Sequence, residues 1–128
     1  MVDNSAEIQT IVNLAESGAW QITYFFDDPA DETNHFSGYQ FLFNSNGTIT
    51  ASNSTSTVTG TWSVTDDSSS DDSSSDDDID FNISFASPAD FQELSDDWDI
   101  LSRSNSKIEL IDVSGGNGGT DYLTFEKL

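Results

Sequence analysis

Residues 66 to 78 read DDSSSDDSSSDDD, seven aspartates and six serines in one run. Closely spaced carboxylates are what a calcium loop uses, because hard cations take oxygen ligands. Asp76, Asp78 and Asp80 fall at positions 1, 3 and 5 of such a loop. The pattern then breaks: Phe81 stands where the sixth position needs Gly for its sharp turn, and Ser87 where the twelfth needs a bidentate Glu. No formed metal site is expected, and these three aspartates are weak candidates for diffuse cation association. Asp27, Asp28, Asp31 and Glu32, and likewise Asp96, Asp97 and Asp99, read as solvated acidic turns.

Nucleophilic catalysis would have to run through His35, the single histidine of the chain. Serines and aspartates are so abundant that a Ser-His-Asp set can be drawn on paper anywhere, yet no G-x-S-x-G elbow exists. A turn-side or strand-start histidine is the simpler reading. The Gly-rich SGGNGGT (114–120) leads into a strand signal and has no Lys behind it, so it is neither a P-loop nor a dinucleotide fingerprint. There is no cysteine, which removes disulfides, thiolate ligands and thiol nucleophiles. The expectation is a protein that is not an enzyme and carries no cofactor.

Charge excludes further classes. Against 24 acidic residues stand Arg103, Lys107 and Lys127, giving a net charge of −21. Phosphate backbones are held by Lys and Arg that release counterions, so nucleic acid is not a partner. Anionic membranes repel such a chain, and no apolar run approaches the roughly 18 residues of a spanning helix. Cations, a basic protein or a neutral molecule remain as partners, and the acidity itself keeps a monomer soluble. The opening MVDNSAEIQT is polar from its third residue and shows no signal-peptide pattern. Export to the periplasm, cell surface or medium, with the chain beginning near a mature N-terminus, is expected over a cytoplasmic location.

At 128 residues the chain fits one domain, and its 12% aromatic content argues that most of it folds. Asn4 and Glu7 pair as a capping box, Ile8, Ile11, Val12 and Ala15 make one helical stripe, and Gly18 suits a left-handed helix end. After Gly18 the period drops to two. Trp20, Ile22, Tyr24 and Phe26 alternate with polar neighbours, and Tyr39, Phe41 and Phe43 repeat the pattern. Asn46-Gly47 signals a type I′ hairpin turn into the strand TITASN. Val58, Gly60, Trp62 and Val64 are in phase, as are Ile79, Phe81, Ile83 and Phe85. The Asp/Ser tract lies between these last two strands. It is therefore an over-long hairpin connection, an insertion that costs only roughly 1.3 kcal/mol of closure entropy. Residues 87–97 predict one helical turn burying Phe91 and Leu94; WDILSRS and KIELIDV predict a hairpin, and DYLTFEKL a last strand. About eight sequential antiparallel strands behind one short helix favour an all-β up-and-down barrel, since closure removes exposed edges. A two-sheet sandwich is the second choice.

Gly18-Ala19-Trp20, placed between a helix and the first strand, resembles the G-x-W signature of lipocalins. With FLFNSNGTIT, GTWSV, WDILSRSNSKIELID and YLTFEKL, nearly the whole chain is similar to the lipocalin-like domains of Bacteroidetes. The resemblance implies a barrel whose Trp20 closes one end, with a basic residue of the last strand packed on it, a place for which Lys127 is available. It also implies binding of a small apolar molecule inside the barrel. The residues expected to line that interior are Trp20, Tyr24, Phe41, Phe43, Trp62, Phe81, Phe85, Trp98 and Phe125. An eight-stranded barrel is just wide enough to be filled by side chains or to hold one small ligand. Two functions stay open: carriage of a hydrophobic molecule, or an interaction domain with a filled core and an acidic surface.

Overall fold

The computed structural model describes residues 5–27, 30–66, 79–113 and 119–128. Helix α1 (Ser5–Ala15) precedes β1 (Ala19–Asp27), a two-residue β2 (Ala30–Asp31), a 3-10 turn η1 (Thr33–Phe36), β3 (Gln40–Phe43), β4 (Thr48–Ser52) and β5 (Thr57–Asp66). Then come β6 (Ile79–Ser84), a single helical turn α2 (Ala89–Gln92), β7 (Asp96–Ser104), β8 (Lys107–Val113) and β9 (Thr120–Lys127). Strands β1 and β3 to β9 pair antiparallel in sequence order, and β9 returns to β1, so eight strands close a barrel. β2 adds a short outer hairpin to the end of β1.

Alternation does most of the construction. In β6 the inward Ile79, Phe81 and Ile83 are buried while their neighbours are half-buried or exposed, and β3 and β4 repeat that rhythm. The connection that carries the Asp/Ser tract joins Asp66 to Ile79, which pair directly, so the tract is inserted at the tip of the β5–β6 hairpin. Residues 67–78 themselves lie outside the described residues, as do Asn4 of the expected capping box and 114–118 of the Gly-rich turn.

Strand β1 departs from its expected phase. Its pairing with β9 shifts register between Ile22 and Tyr24. A bulge inserts one residue and turns every later side chain to the opposite face. Phe25 is consequently buried, whereas Tyr24, expected inside, is 39% exposed and Phe26 is only partly covered. Tyr24 joins Phe26 and Tyr122 in an aromatic group on the outer wall, with ring centroids 6.3 to 6.5 Å apart.

Two turns also differ from expectation. Among the described residues no non-glycine has positive φ, so Asn46-Gly47 is not a type I′ turn. Instead Gly47 N–H donates to Asn44 O at 3.0 Å, closing a four-residue turn, and Gly47 alone takes the left-handed conformation at φ 89°. This is the longer hairpin solution in which a type I turn is followed by a left-handed glycine. Gly18 does not adopt positive φ either. Helix α1 ends with Ser17 N–H donating to Leu14 O at 3.1 Å, and Gly18 leaves room for the Lys127 stem 3.9 Å from where a Cβ would stand.

Both barrel ends are corked. At one, α1 buries Ile11 and Ala15, and the Trp20 indole N–H donates to Ala15 O at 2.9 Å. Arg103 on β7 forms an ion pair with Glu7 that ties the helix down. At the other, η1 and α2 bring Phe36 and Phe91 edge to face at 5.1 Å, with Leu94 buried beside them. Ser95 Oγ accepts from Phe85 N–H at 2.8 Å and holds that turn to the end of β6.

Candidate functional site

The interior expected from the sequence assembles with one exception. Trp20, Phe41, Phe43, Trp62, Phe81, Phe85, Trp98 and Phe125 are all buried; Tyr24 is the outward residue, and Phe25 and Phe36 take up interior positions that alternation did not assign. Phe43 sits at the middle, with its ring 5.0 Å from Trp62, 5.5 Å from Phe81 and 5.3 Å from Phe125, each at a steep angle. Phe91 reaches in from α2 to touch Phe36, Tyr39, Phe41 and Phe85. Steep aromatic contacts at this spacing are the favoured geometry of a packed core. The three indole N–H groups are satisfied by backbone carbonyls: Trp20 by Ala15, Trp62 by Asn44 and Trp98 by Leu94. No interior indole is left to address a guest.

Of the acidic candidates, Asp76 and Asp78 lie outside the described residues. Asp80 is in β6, opposite Thr65 and Asp99. Folding creates two other groups that linear spacing did not reveal. Glu32, His35 and Glu93 place ligand-type atoms within 4.8 Å of one another, with His35 Nδ1 3.0 Å from Glu32 and 3.5 Å from Asp90. Desolvation, then repulsion from Glu32 and Asp27, raises the Glu93 pKa. His35 Nδ1 thus faces two carboxylates.

Asp96, Asp112 and Asp121 form the second group, also within 4.8 Å. Asp112 and Asp121 are direct partners across β8 and β9, and Asp96 opens β7 beside them. Partial burial, then a hydrogen bond to Asp112, pushes the Asp96 carboxyl up from 3.8 to about 7. Such a trio can share a proton or associate with a cation. Its signal was present in the sequence as three scattered aspartates, but only strand register brings them together. Asp31 is opposite in behaviour: the Thr33 hydroxyl donates at 2.6 Å and its backbone N–H at 3.0 Å, which lowers the Asp31 pKa.

A cleft of about 890 Å³ opens in the wall between β1 and β3. These strands share two residue pairs, Ala19 with Leu42 and Trp20 with Phe41, and then part. Beyond Trp20 the chain segments 31–39 bridge the gap, with the Thr33 hydroxyl accepting from Phe25 N–H at 2.8 Å. The cleft is lined by Gln21 and Ile22 of β1, by Asp31 and residues 33–40 apart from His35, by residues 52–54 at and beyond the end of β4, and by Leu128.

No protein-family model matches the sequence, and a comparison with curated proteins finds no match. Among solved structures the chain is similar to a DUF4847 family protein from Bacteroides vulgatus ATCC 8482, at 17% identity and a TM-score of 0.54, over 92% of this chain and 97% of that one. At that identity the likeness concerns the fold alone. No helix among the described residues is long and apolar enough to cross a membrane.

Proposed function

We propose that this chain is a non-catalytic, lipocalin-like binding module acting outside the cytoplasm, in which the barrel interior serves packing and recognition takes place on the outer surface. The observation that carries the reading is Phe43, ringed by Trp62, Phe81 and Phe125 at 5.0 to 5.5 Å, in the place where a carrier would keep its guest. Phe91 and Leu94, from the turn between β6 and β7, insert into the same aromatic core. The lipocalin-like character is supported by Gly18-x-Trp20 at the helix-closed end and by Lys127 Nζ lying 5.3 Å from the centre of the Trp20 ring. The surface carries the net charge of −21, which favours cations, basic proteins or uncharged ligands over anions.

Native mass spectrometry tests the proposal. Protein purified without denaturation, then incubated with fatty acids, sterols and aromatic hydrophobes, is expected to keep its bare mass. A discrete adduct that leaves on unfolding would assign the interior to cargo instead.

A further inference from the structure

We infer that the cleft between β1 and β3 binds a neutral, polyhydroxylated ligand, a saccharide of one to a few rings. This names a ligand class for surface recognition and rests on the reading of the interior as packed. The cleft exists because β1 and β3 separate after Trp20 and Phe41, and that edge of β1 is paired again only at Phe26 and Asp27, by β2. Its volume of about 890 Å³ falls within the range of small-molecule sites, roughly 300–1,000 Å³.

The lining selects the chemistry. Gln21, Asn34, Ser37 and Gln40, all solvent-exposed, bring amides and hydroxyls to one concavity. An amide both donates and accepts, as each sugar hydroxyl does. An apolar guest would bury these groups without partners, at about 1–3 kcal/mol each. Anions find no counter-charge: Arg103 is paired with Glu7, Lys107 lies near Glu109, and Lys127 is held on Trp20 and Ser17, so no basic side chain lines the cleft. Cations find one side-chain carboxylate, Asp31, whose Oδ1 already accepts two hydrogen bonds from Thr33. Tyr39, half-buried against Phe91, adds the aromatic surface on which a sugar's C–H groups can rest. A neutral molecule dense in hydroxyls satisfies all of these conditions together.

The test is a titration of the isotopically labelled full chain with neutral mono- and oligosaccharides, followed through the side-chain amide signals of Gln21, Asn34 and Gln40. A neutral saccharide is expected to move them saturably, while a sugar acid of equal size moves them far less. The double variant Gln21→Ala/Gln40→Ala is expected to weaken that binding roughly tenfold, with its melting temperature unchanged. The inference is overturned if no saccharide moves these signals at millimolar concentration, if the sugar acid acts equally, or if the double variant binds as well as the parent. Those outcomes are independent of the hydrophobe experiment: a bare mass there with silent amides here would remove the saccharide and leave the packed interior standing.

Discussion

Lys127 Nζ lies 5.3 Å from the centroid of the Trp20 ring and donates to Ser17 Oγ at 2.7 Å, so the last strand, the first strand and the end of the helix meet at one ammonium group. A cation over an indole face contributes about 0.5–1 kcal/mol where solvent reaches it. Lys127→Met keeps the stem that passes Gly18 and removes the charge; it is expected to lower unfolding free energy by about that amount. Trp20→Ala empties a fully buried site and is expected to cost about 3–5 kcal/mol. Urea denaturation of both variants checks the ranking.

The bulge in β1 makes a sharp distinction between two adjacent aromatics. Phe25→Ala should cost about 3–5 kcal/mol, because Phe25 is buried between Phe36 and Trp98. Tyr24→Ala removes outer-wall contacts to Phe26 and Tyr122 and should cost less than about 1 kcal/mol. The reverse ranking in thermal melts would place the phase change elsewhere in the strand.

Gly60 is required by space. A Cβ there would stand 2.3 Å from Ser84 O and 2.7 Å from a Phe85 ring carbon. Both obstacles belong to packed structure, so β6 would have to move. Gly60→Ala is expected to destabilise by about 1–3 kcal/mol or more, measured by chemical denaturation, and Gly60→Ser no less.

Asp96 gives stability a pH dependence of known sign. Its carboxyl titrates at about 7 in the fold against 3.8 ordinarily, so between those values the folded state holds a proton that the unfolded chain has released. The stabilising contribution is fully present below about pH 4 and is lost as pH rises through 7. Asp96→Asn abolishes that loss. The variant is expected to melt above the parent at pH 8, with the difference vanishing at pH 4; equal melting temperatures throughout would show Asp96 to be ionised and relaxed.

The Asp/Ser tract is expected to be dispensable for folding. Because Asp66 pairs directly with Ile79, replacing residues 67–78 by Asn-Gly leaves a two-residue hairpin turn of a favoured kind. Shortening the connection and removing like charges should leave the melting temperature unchanged or raise it. A large drop would give the tract a structural role.

Much of this architecture was legible along the chain because a period of two survives wherever strands are regular: Ile79, Phe81, Ile83 and Phe85 point inward as spaced. The reading failed at Tyr24 because a bulge is a property of a strand pair, specified by how β1 meets β9. It failed at Asn46 because the same dipeptide suits two hairpin turns. The cleft and the Asp96 group were invisible for a related reason. Gln21 and Gln40, or Asp96, Asp112 and Asp121, become neighbours only once register is fixed, and nothing in their local spacing announces it.

The narrow contact between β1 and β3 has a consequence for how the barrel comes apart. A ring of strands fails at its shortest join, and here that join is two residue pairs long, while β1 keeps six with β9. Opening at this seam would unzip the cylinder into a sheet with two free borders while leaving every hairpin intact. The amide protons of Trp20 and Phe41, the hydrogen-bonded pair of the seam, should therefore exchange with solvent ahead of those in β8. Two molecules breathing at the same seam would each present the border that the other lacks, so the seam is also where strand exchange between copies would begin.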